Sequence, residues 1–333
     1  MRRGRNEETT LKRKASWLTF ALALGTLIMP LSSEAQQARR PHRIGALTMS
    51  YAPNHPAVEG LKAGLTELGF EEGRNVTFDI RFTRGNPQAV PAAAEALVNA
   101  GADLIFASNA ITTRAAKAAT QTIPIVFAQV IDPVGAGVVT GLAHPGGNVT
   151  GILNPHLELL PDQVEMLKAI VPTLQRVWAI YAADDPSFGP AIGRLEATIR
   201  RLRLELVARP VRTPEEVAQA FAALHPGDGL LQPPSTALNI YGEILDRSAQ
   251  VPAVFRSAFW VRYGGLASYG PDYDAEGREA ARLVAKILRG ARPQDLPVEA
   301  PEKIELAINL KTAKALGLTI PPSVLVRADQ VIQ

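Results

Sequence analysis

Short apolar runs alternate with amphipathic segments through most of the chain, and this alternation predicts its secondary structure. Runs rich in branched and aromatic side chains predict strands, whereas apolar residues that recur every three or four positions predict helices. In the first half the predicted strands are 43–49, 75–82, 102–108 and 123–130, and the predicted helices are 55–70, 87–101 and 109–120. We expect a first α/β lobe with right-handed crossovers and a parallel sheet of five strands, of which these runs supply four.

The same alternation starts again after a stretch rich in Pro and Gly at 132–151, and it predicts a second α/β lobe. Its predicted strands are 176–182, 205–211, 229–233 and 251–257, and its predicted helices are 161–172, 190–204, 214–224 and 237–250. The later elements are 264–270, 274–290, 304–310 and 312–318. They are too few for a third domain, so we expect them to complete the earlier sheets.

Two lobes joined by several chain crossings make a hinged pair with a cleft between them. The predicted fold class is therefore α/β, with two Rossmann-like lobes of parallel sheet joined by a hinge of several segments. The first lobe is assigned to 42–151 and about 267–290, and the second to 152–262 and about 291–333. The hinge candidates lie near 151–154, 263–269 and 296–301.

The charge of the chain bears on its partners. Of its 333 residues, 47% are hydrophobic and 20% charged, as in a globular protein with two cores, and 35 Lys and Arg face 32 Asp and Glu. Residues 1–35 hold six of the basic and three of the acidic residues, so the rest carries 29 of each. The positive excess therefore lies in the N-terminal segment, and we expect no nucleic-acid partner.

The N-terminal segment has the three parts of a secretory signal peptide. A basic stretch at 1–14 precedes 17 uncharged residues at 15–31, and Ser33-Glu34-Ala35 provides a small-x-small cleavage site. We therefore expect residues 1–35 to be removed on export to the periplasm. An uncleaved membrane anchor is the alternative, although the apolar run is short for a span.

Candidate ligand contacts follow the predicted strands, because ligands of parallel sheets bind beyond the carboxyl ends of the strands, near helix N-termini. The candidates are Tyr51, Asn54, His55, Ser108, Asn109, Ala110, Gln129 and Asp132 in the first lobe, and Asp184, Asp185, Ser187, Phe188, Ser235, Thr236, Ser257 and Phe259 in the second. Hydrogen-bonding and aromatic side chains of this kind suit a small molecule. Helix capping is the alternative for the polar candidates, and core packing for the aromatic ones.

No catalytic or cofactor motif stands out. The stretch 135–141 has Thr140 where a dinucleotide fingerprint needs its third glycine, and 266–270 has Leu266 where a nucleophile elbow needs its first. The five His lack metal-ligand spacing, and the absence of Cys excludes thiolate chemistry, disulfides and a lipid-modified Cys. We therefore expect no cofactor, no bound metal and no enzymatic activity.

Three motifs carry a resemblance to a known family: DPVGAG at 132–137, PGGNVTG at 145–151 and NLKTAKALGLTIP at 309–321. With their surroundings they resemble the ABC-transporter substrate-binding proteins that include tryptophan- and tyrosine-binding members, over essentially all of 42–333. The resemblance implies a type I periplasmic-binding-protein fold that closes over a small ligand and docks on a membrane permease. We expect a monomer, and a periplasmic sensor of the same fold and an α/β enzyme stay open as alternatives.

Two departures from the family pattern concern the ligand. Relatives often have an acidic residue where this chain has Pro234, and Ser-Asp where it has Ser257-Ala258. A carboxylate is the natural partner of an α-ammonium group. If the ligand has such a group, Asp184 or Asp185 would have to supply the carboxylate. We therefore expect a ligand that is amino-acid-like or an aromatic or other organic acid, and we favour the less cationic class.

Overall fold

The first sheet organises the first lobe. The computed structural model describes residues 40–50, 53–183, 188–231 and 250–333, so the predicted signal peptide lies outside the described residues. The sheet consists of β1 His42–Thr48, β2 Val76–Phe82, β3 Leu104–Ala107, β4 Ile125–Val130 and β5 Val149–Leu153, in the order β2-β1-β3-β4-β5. All its pairs are parallel, and helices α1 Pro56–Glu67, α2 Val90–Asn99 and α3 Ala110–Ala119 connect the first four strands.

The second sheet has the order β12-β11-β10-β9-β8-β6-β7. Its strands are β6 Arg176–Ala182, β7 Glu205–Val211, β8 Asp228–Leu231, β9 Ala253–Phe255, β10 Ala267–Gly270, β11 Glu305–Asn309 and β12 Gln330–Ile332. The remaining described helices are α4 His156–Ile170, α5 Phe188–Arg201, α6 Pro214–Ala222, α7 Ala258–Arg262, α8 Tyr273–Leu288, α9 Leu310–Ala315 and α10 Pro322–Leu325. Short 3-10 turns lie at Pro87–Ala89 and Pro293–Asp295. The two α/β lobes confirm the predicted fold class.

Three details differ from the sequence prediction. The four named runs of the first lobe form strands, but the fifth strand is β5, which begins inside the stretch rich in Pro and Gly at 132–151. The second sheet is mixed rather than parallel, because β11 runs antiparallel to β10. Helix α4 begins five residues before Pro161, since Leu157 and Leu160 are buried and extend its apolar face toward the N-terminus. The predicted helix 237–250 lies almost wholly outside the described residues.

The lobe boundaries also differ from the assignment. Residues 267–290 divide between the lobes, because β10 pairs with β9 in the second sheet whereas α8 packs on α1 of the first lobe. The segment around Glu299 bridges to Ile152 and stays with the first lobe, and the chain joins the second sheet at β11. The three crossings therefore lie near 153–155, 271–272 and 300–304, and the predicted hinge at 263–269 belongs to the second lobe.

Glycines allow α8 to lie directly against α1. A Cβ on Gly60 would stand 2.0 Å from the carbonyl oxygen of Asp274, and one on Gly277 would stand 2.2 Å from that of Ala57. Backbone approach this close is open only to glycine. The two helices begin at Pro56 and Tyr273, so their packing brings both N-termini to the same end of the first lobe.

Candidate functional site

The loop after β3 presents a helix N-terminus. Ser108 is 2% exposed, and its backbone N–H donates to the carbonyl of Leu47 at 3.2 Å. Asn109 caps α3 through a reciprocal pair, in which its Oδ1 accepts from the N–H of Thr112 at 2.9 Å and its own N–H donates to Thr112 Oγ1 at 3.1 Å. Asn109 is therefore a capping residue in this structure. The backbone N–H groups of the first turn of α3, beginning at Ala110, are the groups here that can bind an anion.

His55 combines a helix cap with an aromatic contact. Its Nδ1 accepts a hydrogen bond from the N–H of Ala57 at 3.2 Å, and its ring stacks on Tyr273 with centroids 6.1 Å apart and an interplanar angle of 15°. Burial lowers the pKa of His55 to about 4, from 6.5. The neutral ring is also the form that can accept from Ala57. The neighbouring Asn54 is exposed, and Tyr51 lies outside the described residues.

The depressed pKa of His55 predicts an acid-sensitive site. The unfolded chain binds more protons than the folded one between pH 6.5 and 4, so this residue's contribution to stability is complete above pH 6.5 and is lost as the pH falls toward 4. The measurement is the free energy of unfolding in urea across pH 4 to 8. We expect His55→Asn, which keeps a capping oxygen but cannot take up a proton, to flatten that part of the profile. An unchanged slope in the variant would contradict the assignment.

The end of β4 is irregular at a predicted contact. Gln129 has a backbone φ of 61°, which residues other than glycine rarely adopt. The pairing of β4 with β5 also shifts register between Phe127 and Val130. Backbone of this kind concentrates at functional sites. Asp132, in contrast, is exposed and accepts from the N–H of Gly135 at 2.8 Å, so it closes the following turn.

The described part of the second lobe contributes the loop after β9. Ser257 is fully buried and caps α7, with its Oγ accepting from the N–H of Phe259 at 3.4 Å. Phe259 lies 6.0 Å from the ring of Tyr273 and 4.8 Å from that of Tyr263. The side chain of Phe188, at the start of α5, is not described. The candidates Asp184, Asp185, Ser187, Ser235 and Thr236 lie outside the described residues.

Sequence reasoning missed the residue that joins these loops. Tyr273 is 6% exposed and contacts both His55 of the first lobe and Phe259 of the second. Its neighbour Asp272 caps α8 and forms an ion pair with Arg262 of α7 at 3.1 Å. The sequence did contain a signal for this residue, because Asp272-Tyr273 stands at a helix start shortly after a strand. The other candidate loops were chosen by that same criterion.

Glu276 lies one turn further along α8 and is a second residue that the sequence analysis missed. The carboxyl is fully buried, and its Oε1 accepts from Asn154 Nδ2 at 3.4 Å. Burial raises the pKa of Glu276 well above its ordinary value, the charge of Glu279 adds to this effect, and Arg256 opposes it. A buried carboxyl with a raised pKa therefore lies one helical turn from Tyr273, the residue that contacts His55 and Phe259.

Comparison with known proteins identifies the class of this two-lobed molecule. The family of ABC transporter substrate binding proteins matches residues 49–332, and the chain belongs to that family, which confirms the predicted resemblance. The chain is 28% identical over 279 residues to a tyrosine-binding protein of Clostridioides difficile strain R20291, covering 81% of this chain and 80% of that protein.

Two solved structures share the fold. The ABC domain from Streptococcus pneumonia in complex with L-Trp is 28% identical, covers 88% of this chain and 100% of its own, and gives a TM-score of 0.77. A ligand-free, open structure of a substrate-binding protein with adhesive properties from Clostridium difficile is 25% identical to this chain. The match covers 88% of this chain and 99% of that one, and the TM-score is 0.64. These neighbours define a periplasmic binding protein fold of type I-like architecture.

No group of three or more His, Asp or Glu side chains among the described residues is arranged to hold a metal ion. None of the helices in these parts of the chain is long and apolar enough to cross a membrane.

Proposed function

We propose that this chain is a periplasmic receptor that binds a small molecule between its lobes and delivers it to an ABC permease, without catalysing a reaction. The observation that carries the proposal is the contact of Tyr273 with both His55 and Phe259. Loops at the strand ends of the two lobes thereby meet at one place, so a ligand held there would contact both lobes and favour closure. Family membership supports the transport role.

The ligand that best fits this surface is aromatic and carries a carboxylate. The rings of His55, Phe259 and Tyr273 supply stacking faces, and the start of α3 supplies N–H groups for an anion. The acidic side chains of Asp132 and Asp272 are occupied in capping their own turns. The relatives whose names mention tyrosine and L-Trp support an aromatic ligand, and an amino acid stays within the proposed class.

Matched ligand pairs test the charge preference. Thermal shifts would be measured with L-tryptophan against indole-3-lactate and with L-tyrosine against 4-hydroxyphenyllactate, because the members of each pair differ only in the ammonium group. We expect the hydroxy acids to stabilise the protein at least as strongly as the amino acids. Stabilisation by the amino acids alone would contradict the preference for a less cationic ligand.

The receptor role itself is tested by what the protein carries. Protein purified from the periplasm would be denatured and its released small molecules identified by mass spectrometry, and N-terminal sequencing would show whether cleavage occurs before Gln36. We expect one ligand at near-stoichiometric amount, a monomer and an unmodified ligand after incubation. Chemical conversion of the ligand would instead indicate an enzyme.

A further inference from the structure

Glu276 connects the first lobe to the segment that leads into the second. It lies on α8, which packs on α1, and its carboxyl accepts a hydrogen bond from Asn154. Asn154 lies between β5 of the first lobe and α4 of the second. A fully buried carboxyl is thus held at the first crossing between the lobes, where a hinge rotation changes the surroundings most.

Charged groups from both lobes act on this carboxyl. On its own helix, Asp272 and Glu279 disfavour a negative charge, whereas Arg256 at the end of β9 favours one. The amide of Gln129 faces the carboxyl from the end of β4. On α1, the uncharged residues Ala57 and Leu61 lie against Gly277, the residue after Glu276. Arg256 is a charged group that the second lobe contributes.

The hydrogen bonding of the carboxyl suits its neutral form. Oε2 of Glu276 has no hydrogen-bond partner among the described residues, and the bond from Asn154 to Oε1 is long at 3.4 Å. The amide of Gln129 is a further neutral donor near the carboxyl, and its hydrogen bonding favours the charged form only weakly compared with the effect of burial. Burying a carboxylate ion with so few hydrogen bonds has a large desolvation free energy. The uncharged acid has a much smaller desolvation penalty, and this agrees with the raised pKa of Glu276.

Side chains of the two lobes are in direct contact in this structure. Contacts between the lobes, namely the ring contact of Phe259 with Tyr273 and the ion pair of Arg262 with Asp272, agree with a closed cleft. The burial of Glu276 therefore describes the closed arrangement.

We propose that Glu276 is a proton-dependent latch between the lobes, buried as the neutral acid when they close and hydrated and ionised when they open. Opening releases the proton to water, and closure takes it back. Because the closed form binds more protons, rising pH favours the open form. For one linked proton, the ratio of open to closed molecules rises by up to about tenfold per pH unit between the two pKa values of Glu276.

Distance measurements without ligand test the latch independently of the proposed transport role. The chain lacks Cys, so Arg84→Cys and Arg212→Cys would give a unique pair of labels, beyond the ends of the equivalent edge strands β2 and β7. Resonance energy transfer between fluorophores on the two cysteines and small-angle X-ray scattering would be recorded from pH 5 to 9. We expect the labels to separate as the pH rises, and a distance independent of pH would overturn the proposal.

Variants separate Glu276 from its neighbours. Glu276→Gln and Glu276→Leu cannot ionise, so we expect both to lose the pH-dependent separation. The matched control is Glu279→Gln, which removes a nearby buried carboxyl whose hydrogen bond comes from the N–H of Glu302. This control should keep the transition and move it to lower pH, because one negative neighbour of Glu276 is gone. A transition that persists unchanged in both Glu276 variants would refute the latch.

Discussion

Replacement of Asp228 by asparagine is expected to be among the most damaging single changes in the second lobe. Asp228 is 3% exposed at the start of β8, and its two oxygens accept from Nε and Nη2 of Arg176, both at 2.7 Å. The same carboxylate accepts from Trp178 Nε1 at 3.1 Å and from the N–H of His225 at 2.8 Å. Asparagine would turn an amide toward some of these donors, so we expect a loss of about 3 kcal/mol in the free energy of unfolding.

Asp295 provides the matched control, because it forms the same bidentate ion pair with Arg292 on the surface, with N–O distances of 2.7 and 3.1 Å. Urea unfolding of Asp295→Asn should differ little from that of the parent chain, since exposed pairs contribute little. Similar losses in the two variants would show that burial does not decide the cost.

The pH profile gives Asp228 a second test. Burial alone would raise the pKa of Asp228, but hydrogen bonds from Arg176, His225 and Trp178 outweigh it, and the pKa is lowered below 3.8. A depressed acid stabilises the fold above its unfolded pKa, and this contribution is lost as the pH falls through the folded pKa. The difference between the parent chain and Asp228→Asn should therefore shrink under strongly acidic conditions.

Periodicity predicted most of the fold because the two sheets are built from long, regular repeats of strand and helix. It failed where the local pattern is interrupted. Strand β5, Val149–Leu153, closely follows two glycines and overlaps the stretch rich in Pro and Gly, so its sequence looks like the end of a loop. The division of 267–290 between the lobes depends on backbone contact through Gly60 and Gly277, which no hydrophobic pattern encodes.

The site was predicted to the extent that it follows the strand ends. His55 and Phe259 come from that rule, and the structure brings them to a common neighbour. Tyr273 was missed because its segment was assigned to completing a sheet. Glu276 was missed for a different reason, since an acidic residue on an amphipathic helix is normally exposed, and tertiary contacts that no sequence pattern shows bury this one.

Substitution of Gly277 by alanine is expected to separate α8 from α1. The added Cβ would stand 2.2 Å from the carbonyl oxygen of Ala57, a backbone atom that cannot move without displacing α1. Overpacking of this kind typically costs 1–3 kcal/mol, and we expect about 3 kcal/mol because the obstacle is backbone. The two helices carry His55 and Tyr273 at their N-termini, so ligand affinity should fall together with stability.

Gly193 shows what the same substitution does where space is available. It lies inside α5, and a Cβ there would meet nothing within 4 Å, so Gly193→Ala should stabilise the protein by about 0.5–1 kcal/mol through helix propensity. Urea unfolding of the two variants should therefore give changes of opposite sign. A neutral Gly277→Ala would mean that α1 and α8 can move apart freely, and it would remove the physical basis for placing the two ring-bearing helix ends at one site.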